Sequence, residues 1–148
     1  MTTNHYVTWV LNSNTNACRL YQYSKKPLQL SLLKEIQHPE NRLRDIELTS
    51  DKPGHYQAGG HTHGAFSQET DPKEIKIDSF SREIAKELND GRNNNAYAQL
   101  IIIAAPHMSG LLLQHMNKHV KELISHSIKK DMYHLSQHEL LAFLQEHG

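Results

Sequence analysis

Four imidazoles and several charged side chains crowd one polar stretch of this chain, residues 38–64, and they are the first groups that could do chemistry. The histidines are His38, His55, His61 and His63, with Asp51 inside the stretch and Asp71 beyond it. Imidazole and carboxylate together suit zinc, manganese or iron, which makes His55, His61 and His63 with Asp51 or Asp71 a candidate metal set. The i, i+2 spacing of His61 and His63 is not diagnostic of a metal site, and the competing reading is a polar loop that holds none. Arg42, Arg44 and Lys52 stand in the same stretch against Glu40, Asp45, Glu47 and Asp51. Arginine forks onto phosphate oxygens, so Arg42, Arg44, Asp51 and Lys52 are candidates for binding RNA, against the alternative of a salt-bridged loop that fixes its own shape. The pair Gly59-Gly60 permits positive φ and close backbone approach to a partner, and Pro53-Gly54 signals a type II turn.

Other chemical groups have plainer readings. His115 and His119, four apart, would share one helical face, yet the residues between them lack the glutamate that acts as general base in HExxH. Both histidines are expected to border the core. Asp131 and His134 form an acid–base pair on paper, but no serine or cysteine nucleophile with a recognisable elbow accompanies them, and Asp131 reads as a loop or cap residue. Cys18 is the single cysteine, which excludes an internal disulfide, fits a reducing compartment and points to a small core residue.

Composition narrows the class further. The 148 residues suffice for one domain, residues 1–148, with a core of its own. Sixteen basic and sixteen acidic residues cancel, so nothing global draws the chain to nucleic acid or anionic lipid. The segment MTTNHYVTWVLNSN lacks a basic then apolar signal pattern, and no run of 18 apolar residues occurs; the expectation is a soluble cytoplasmic protein.

The elements that must position these groups follow from periodicity and turn residues. Alternation at residues 6–11 and 18–23, around the turn-rich NSNTNA, predicts a β-hairpin, and Leu28–Ile36 after Pro27 predicts a third strand. A loop of the length of 38–64 is uncommon in compact domains, and those that persist are usually binding segments or disordered. Asp71-Pro72-Lys73-Glu74 then offers an N-cap, a proline at the first helical position and a glutamate three residues after the cap. Ile77, Phe80, Ile84 and Leu88 recur at helical spacing, with Gly91 expected to end the helix. The run Gln99–Ala105, isoleucine-rich and closed by Pro106, suits a central strand covered on both faces. From His107 a helix should carry Met108, Leu112, Met116, Val120 and Leu123 on one side, with Leu123–Ile128 read as a short strand. Ser136-Gln-His-Glu139 is a capping box opening a terminal helix that turns Leu140, Leu141, Phe143 and Leu144 inward.

The sequences HPENRLRDIELTSDKPG (38–54), DPKE (71–74), LIIIAAPHMSGLLL (100–113) and KKDMYHL (129–135), in this order, resemble the bacterial family of proteins required for attachment to host cells. That family is in turn distantly similar to the middle domain of archaeal and eukaryotic class I translation release factors. The resemblance implies a single α/β domain of RNase H-like type, a mixed sheet flanked by helices in the order β-β-β-loop-α-β-α-β-α. In release factors the loop before the long helix bears Gly-Gly-Gln, which enters the ribosomal peptidyl-transferase centre; here the corresponding residues are Gly59, Gly60 and His61, followed by His63. The glycine pair is kept and the glutamine is not, so the resemblance implies a binding loop rather than an ester-hydrolysing one. It implies a ribosome or tRNA as partner, with no DNA, no membrane and no cofactor expected, and leaves the oligomeric state open. A two-metal phosphoester hydrolase, which other RNase H-like folds support, needs clustered carboxylates on strands. Residues 6–11, 18–23 and 99–105 contain no Asp or Glu.

Overall fold

The computed structural model of the protein describes residues 7–38 and 71–147. Their elements are β1 (Thr8–Ser13), β2 (Ala17–Lys25), β3 (Leu28–Gln37), α1 (Pro72–Asn93), β4 (Gln99–Ala104), α2 (Pro106–His115), α3 (Lys118–Lys121), β5 (Ile124–Ile128) and α4 (Gln137–His147). The expected order is found, with the four-residue α3 added before β5.

One mixed five-stranded sheet, in the order β3-β2-β1-β4-β5, carries these elements. β1, β2 and β3 form an antiparallel meander, and β4 and β5 continue it in parallel from β1. The β1–β2 turn is built by Asn14, whose Oδ1 accepts from the backbone N–H groups of Asn16 and Ala17, both at 2.8 Å. In β3 a bulge beside Leu20 and Tyr21 places Leu33 out of register, so Leu30 can face one side of the sheet and Ile36 the other. The bulge also disrupts an edge that exposes Leu28, Leu32 and Leu33, and the side chain of Gln137 donates to the Leu30 carbonyl there.

β4 is buried on both faces as its composition required. Leu100, Ile102 and Ala104 join a core beneath α1, α2 and α3, with Leu11, Phe80, Ile84, Leu88, Met108, Leu112 and Val120. Ile101 and Ile103 join a second core with Val10, Tyr21, Tyr23, Leu30, Leu140 and Leu144 beneath α4. Of the four residues expected to turn inward from α4, Leu140 and Leu144 are fully buried, whereas Leu141 and Phe143 are packed at the margin. The capping box forms as read, Ser136 N–H donating to Glu139 Oε1 at 2.9 Å and Glu139 N–H to Ser136 Oγ at 3.1 Å. Cys18 is a buried core residue, and desolvation drives its thiol pKa far above the ordinary range.

Two expectations are corrected. Gly91 does not end α1; it lies inside the helix, buried, with the Trp9 ring against it and Trp9 stacked on Tyr97 at 4.5 Å between centroids. The helix ends in a Schellman motif instead, with Ala96 N–H bonded to Gly91 O, Asn95 N–H to Arg92 O, and Asn95 at φ 57° in the left-handed position. His115 and His119 do not share a helical face. The helix from Pro106 stops at His115, and Asn117 caps α3 by accepting from Val120 N–H, which leaves His119 exposed. Met108, Leu112, Met116 and Val120 nevertheless enter one core, so the apolar pattern survives the break.

A Cβ at position 91 would sit 2.6 Å from Trp9 Cη2 and 2.7 Å from Cζ3, inside van der Waals contact. G91A is therefore expected to lower unfolding free energy by about 1–3 kcal/mol. N95G relieves the left-handed strain and is expected to raise it by up to about 1 kcal/mol. Urea denaturation followed by circular dichroism reads both, and an unchanged midpoint in G91A would contradict the Trp9 contact.

Candidate functional site

Every strand except β2 points the same way, so the carboxyl ends Ser13, Gln37, Ala104 and Ile128 share one rim of the sheet. In open α/β sheets this rim, at the point where connections diverge to either side, is where ligands are usually held. Here the divergence falls between β1, which turns back into β2, and β4, which leads through α2 and α3 to β5.

The rim is also where the chain leaves for residues 39–70 and returns. His38 ends the β3 side, buried at 6% exposure, with its N–H donating to Asn16 O at 2.8 Å. Its ring lies 5.3 Å from that of Phe80, and Nε2 stands 3.1 Å from the Lys76 carbonyl, a contact that requires the proton on Nε2. Asp71 begins the return, its side chain accepting from Lys73 N–H at 3.0 Å ahead of Pro72. Glu74 completes no capping box. It reaches across to α2, where His107 Nε2 lies 2.9 Å from Glu74 Oε1.

One turn further along α1, His115 Nε2 donates to Asp78 Oδ1 at 2.7 Å, and Arg82 Nε donates to Asp78 Oδ2 at 3.0 Å. His115 is the more buried partner, with its side chain 14% exposed against 32% for Asp78. The His115 hydrogen bond, followed by that of Arg82, lowers the Asp78 pKa below its ordinary value of 3.8. Two histidine–carboxylate bonds thus tie α1 to α2 behind the rim.

The N-terminus of α2 has no side-chain cap, since Ala105 occupies the cap position, and Pro106 stands at the first turn. Ser109 Oγ near that end and Asn12 Oδ1 on β1 are buried without a hydrogen-bond partner among the described residues. Beside β2, Tyr133 closes the rim: Arg19 lies over its ring at 4.2 Å, and its hydroxyl donates to Glu35 Oε2 at 3.1 Å. Burial pushes the Tyr133 pKa up to about 12, so this hydroxyl remains a donor.

Arg42, Arg44, Asp51, Lys52, His55, Gly59, Gly60, His61 and His63 lie outside the described residues, as does the Pro53-Gly54 turn. The described residues that flank them are His38 and Asp71. His38, read as one more loop imidazole, is a buried anchor. Asp131 is a turn residue, its Oδ1 accepting from Tyr133 N–H at 3.3 Å, while His134 is exposed. Among the described residues no group of three or more His, Cys, Asp or Glu is placed to hold a metal. The His107–Glu74 and His115–Asp78 contacts were missed in sequence because each joins separate helices.

A family model described as "Protein required for attachment to host cells" matches residues 9–144, from β1 into α4. The chain belongs to this family. No relative is found among curated proteins. The matched span of this host-attachment family member includes the sheet, the rim and residues 39–70 together.

H115A removes the partner of a partly buried carboxylate and is expected to cost about 1–2 kcal/mol of stability. The sign of the pH effect follows from the lowered Asp78 pKa: its contribution is present above the unfolded value and is lost as pH falls through the folded one. The stability gap between wild type and D78N should therefore hold above about pH 5 and shrink below about pH 4. Urea titrations at stepped pH read the gap, and a gap that widens on acidification would contradict the assignment.

Proposed function

We propose that this host-attachment family member acts by binding, presenting residues 39–70 from the carboxyl rim to a ribosome or tRNA in the cytoplasm, and that it supports attachment to host cells indirectly. The observation that carries the reading is the mount: His38 is locked onto the first turns of α1, so the segment starts and finishes at one corner of a rigid sheet. An antiparallel meander, followed after residues 39–70 by a long helix and further β-α units, supports a reading on the RNase H-like layout that the resemblance to release-factor middle domains implies. Within the segment, Arg42, Arg44 and Lys52 supply cations for phosphate, and Gly59-Gly60 with His61 and His63 supply a backbone able to approach RNA closely. Peptidyl-tRNA hydrolysis is not part of the proposal, because His61 stands where the glutamine of that loop would be.

Sucrose-gradient sedimentation of lysates at low salt tests it. The protein is expected in ribosomal or tRNA fractions, to leave them as salt rises, and to leave them when Arg42→Ala, Arg44→Ala and Lys52→Ala are combined. The same triple variant should reduce attachment of the cells. A protein that stays at the top of the gradient in every growth phase, or that surface labelling of intact cells finds outside, would overturn the reading.

A further inference from the structure

The sheet has two outer strands, and they are finished differently. β3 is interrupted by its bulge and carries the Gln137 side chain on its Leu30 carbonyl. Its charged side chains are engaged as well, Lys34 with Glu87 at 2.7 Å and Glu35 with both the Tyr133 hydroxyl and Arg19. Among the described residues nothing comparable covers β5, at the far end of the order β3-β2-β1-β4-β5.

β5 is held at both ends and open between them. Ile124 packs against the core beneath α1 and Ile128 against the core beneath α4, while Ser125, His126 and Ser127 are exposed. The ladder with β4 begins where Leu100 N–H donates to Leu123 O at 2.9 Å. A strand in a parallel pair turns the N–H and C=O groups of alternate residues toward that neighbour and the remaining groups away from it. With no described strand beyond β5, those remaining groups face outward.

Lysines flank this open edge. Lys118 and Lys121 of α3 precede the strand and Lys129 and Lys130 follow it, all four exposed and none with a partner for its ammonium among the described residues. The carboxylates of residues 118–131 are Glu122 and Asp131, and Asp131 already accepts from Tyr133 N–H. The surplus is cationic at both ends. That excludes a second copy of the chain, because two-fold antiparallel pairing of β5 with itself would set Lys129 and Lys130 against the other copy's Lys118 and Lys121, and like charges placed opposite one another repel. A nucleic acid would meet the ammonium groups but offers no regular row of donors and acceptors for a strand edge. A peptide backbone does.

We propose that β5 receives an extended acidic peptide segment of a partner protein as a sixth strand, its backbone paired with the outward groups of Ile124–Ile128 and its carboxylates meeting Lys118, Lys121, Lys129 and Lys130. Strand addition of this kind takes its affinity from main-chain hydrogen bonds and its selectivity from side chains. An added strand matches β5 residue for residue, so acidic groups about five residues apart reach both ends. The lysines thus serve twice, keeping the edge from pairing with itself and attracting the opposite charge. No residue of 39–70 takes part.

Amide-resolved NMR titration of the full chain tests it, with the blocked peptide Asp-Glu-Val-Thr-Val-Glu-Asp as probe. Saturable shifts are expected at Ser125, His126 and Ser127, weakening as salt is raised. Lys118→Glu with Lys121→Glu, and Lys129→Glu with Lys130→Glu, should each weaken binding about tenfold while keeping the wild-type melting temperature, since all four side chains are exposed. N-methylation of the peptide separates pairing from simple charge attraction: one set of alternate amides should tolerate it and the other should lose binding. No saturable shift at millimolar peptide, equal tolerance of both methylation patterns, or the same amides responding to oligouridylate as tightly as to the peptide would overturn the proposal.

Discussion

β4 cannot be solvated on either face, and the rest of the architecture follows from that constraint. Leu100, Ile102 and Ala104 point one way, Ile101 and Ile103 the other, and all five are buried. A strand of this kind must be hydrogen-bonded along both edges and covered from both sides. β1 and β5 supply the edges, both in parallel, and parallel pairing requires crossovers rather than tight turns. The crossovers are α1, 22 residues long, and the α2–α3 pair, both packed on the Leu100 side. α4 then has to cover the Ile101 side, which it does through Leu140 and Leu144. The starts of α1 and α2 come to the carboxyl rim because helices that return the chain to the other end of the sheet must begin there.

That placement decides what the acidic residues near the rim can do. Asp71 is engaged by the amide of Lys73, Glu74 by His107, and Asp78 by both His115 and Arg82. A cation seated there would have to displace protein donors from each of these carboxylates. Glu74, in the first turn of α1, also interacts favourably with the helix dipole, so its position is stabilised twice over. Acids of α1 hold helices together, and among the described residues a buried serine hydroxyl, a buried asparagine carbonyl and an α2 start without a side-chain cap stand without such partners.

Signals confined to a few consecutive residues were legible in the sequence. The Asp71 cap, the Ser136–Glu139 capping box, the Asn14 turn and the doubly buried β4 all follow from neighbours along the chain. Gly91 was misread because a glycine near the end of a helical pattern has two explanations. The local one is a cap, the tertiary one a close approach by a distant ring, and only the fold brings Trp9 there. The pairing of His115 with His119 failed for a similar reason: Asn117 caps a new helix while its own N–H reaches Asn89 on α1 at 3.3 Å. Of the contacts near the rim, those made by the histidines of α2 were hidden in the sequence because their partners lie 33 and 37 positions away.

His38 shows how the mount can be separated from whatever the segment contacts. Its Nε2 needs a proton to meet the Lys76 carbonyl, and both the neutral Nε2–H tautomer and the imidazolium provide one. Its ring rests on Phe80, whose burial does not depend on charge. The anchor therefore does not depend on which of these two forms the ring takes. On the other side of the return, the Asp71 cap and the Pro72 start of α1 fix the backbone by local geometry alone.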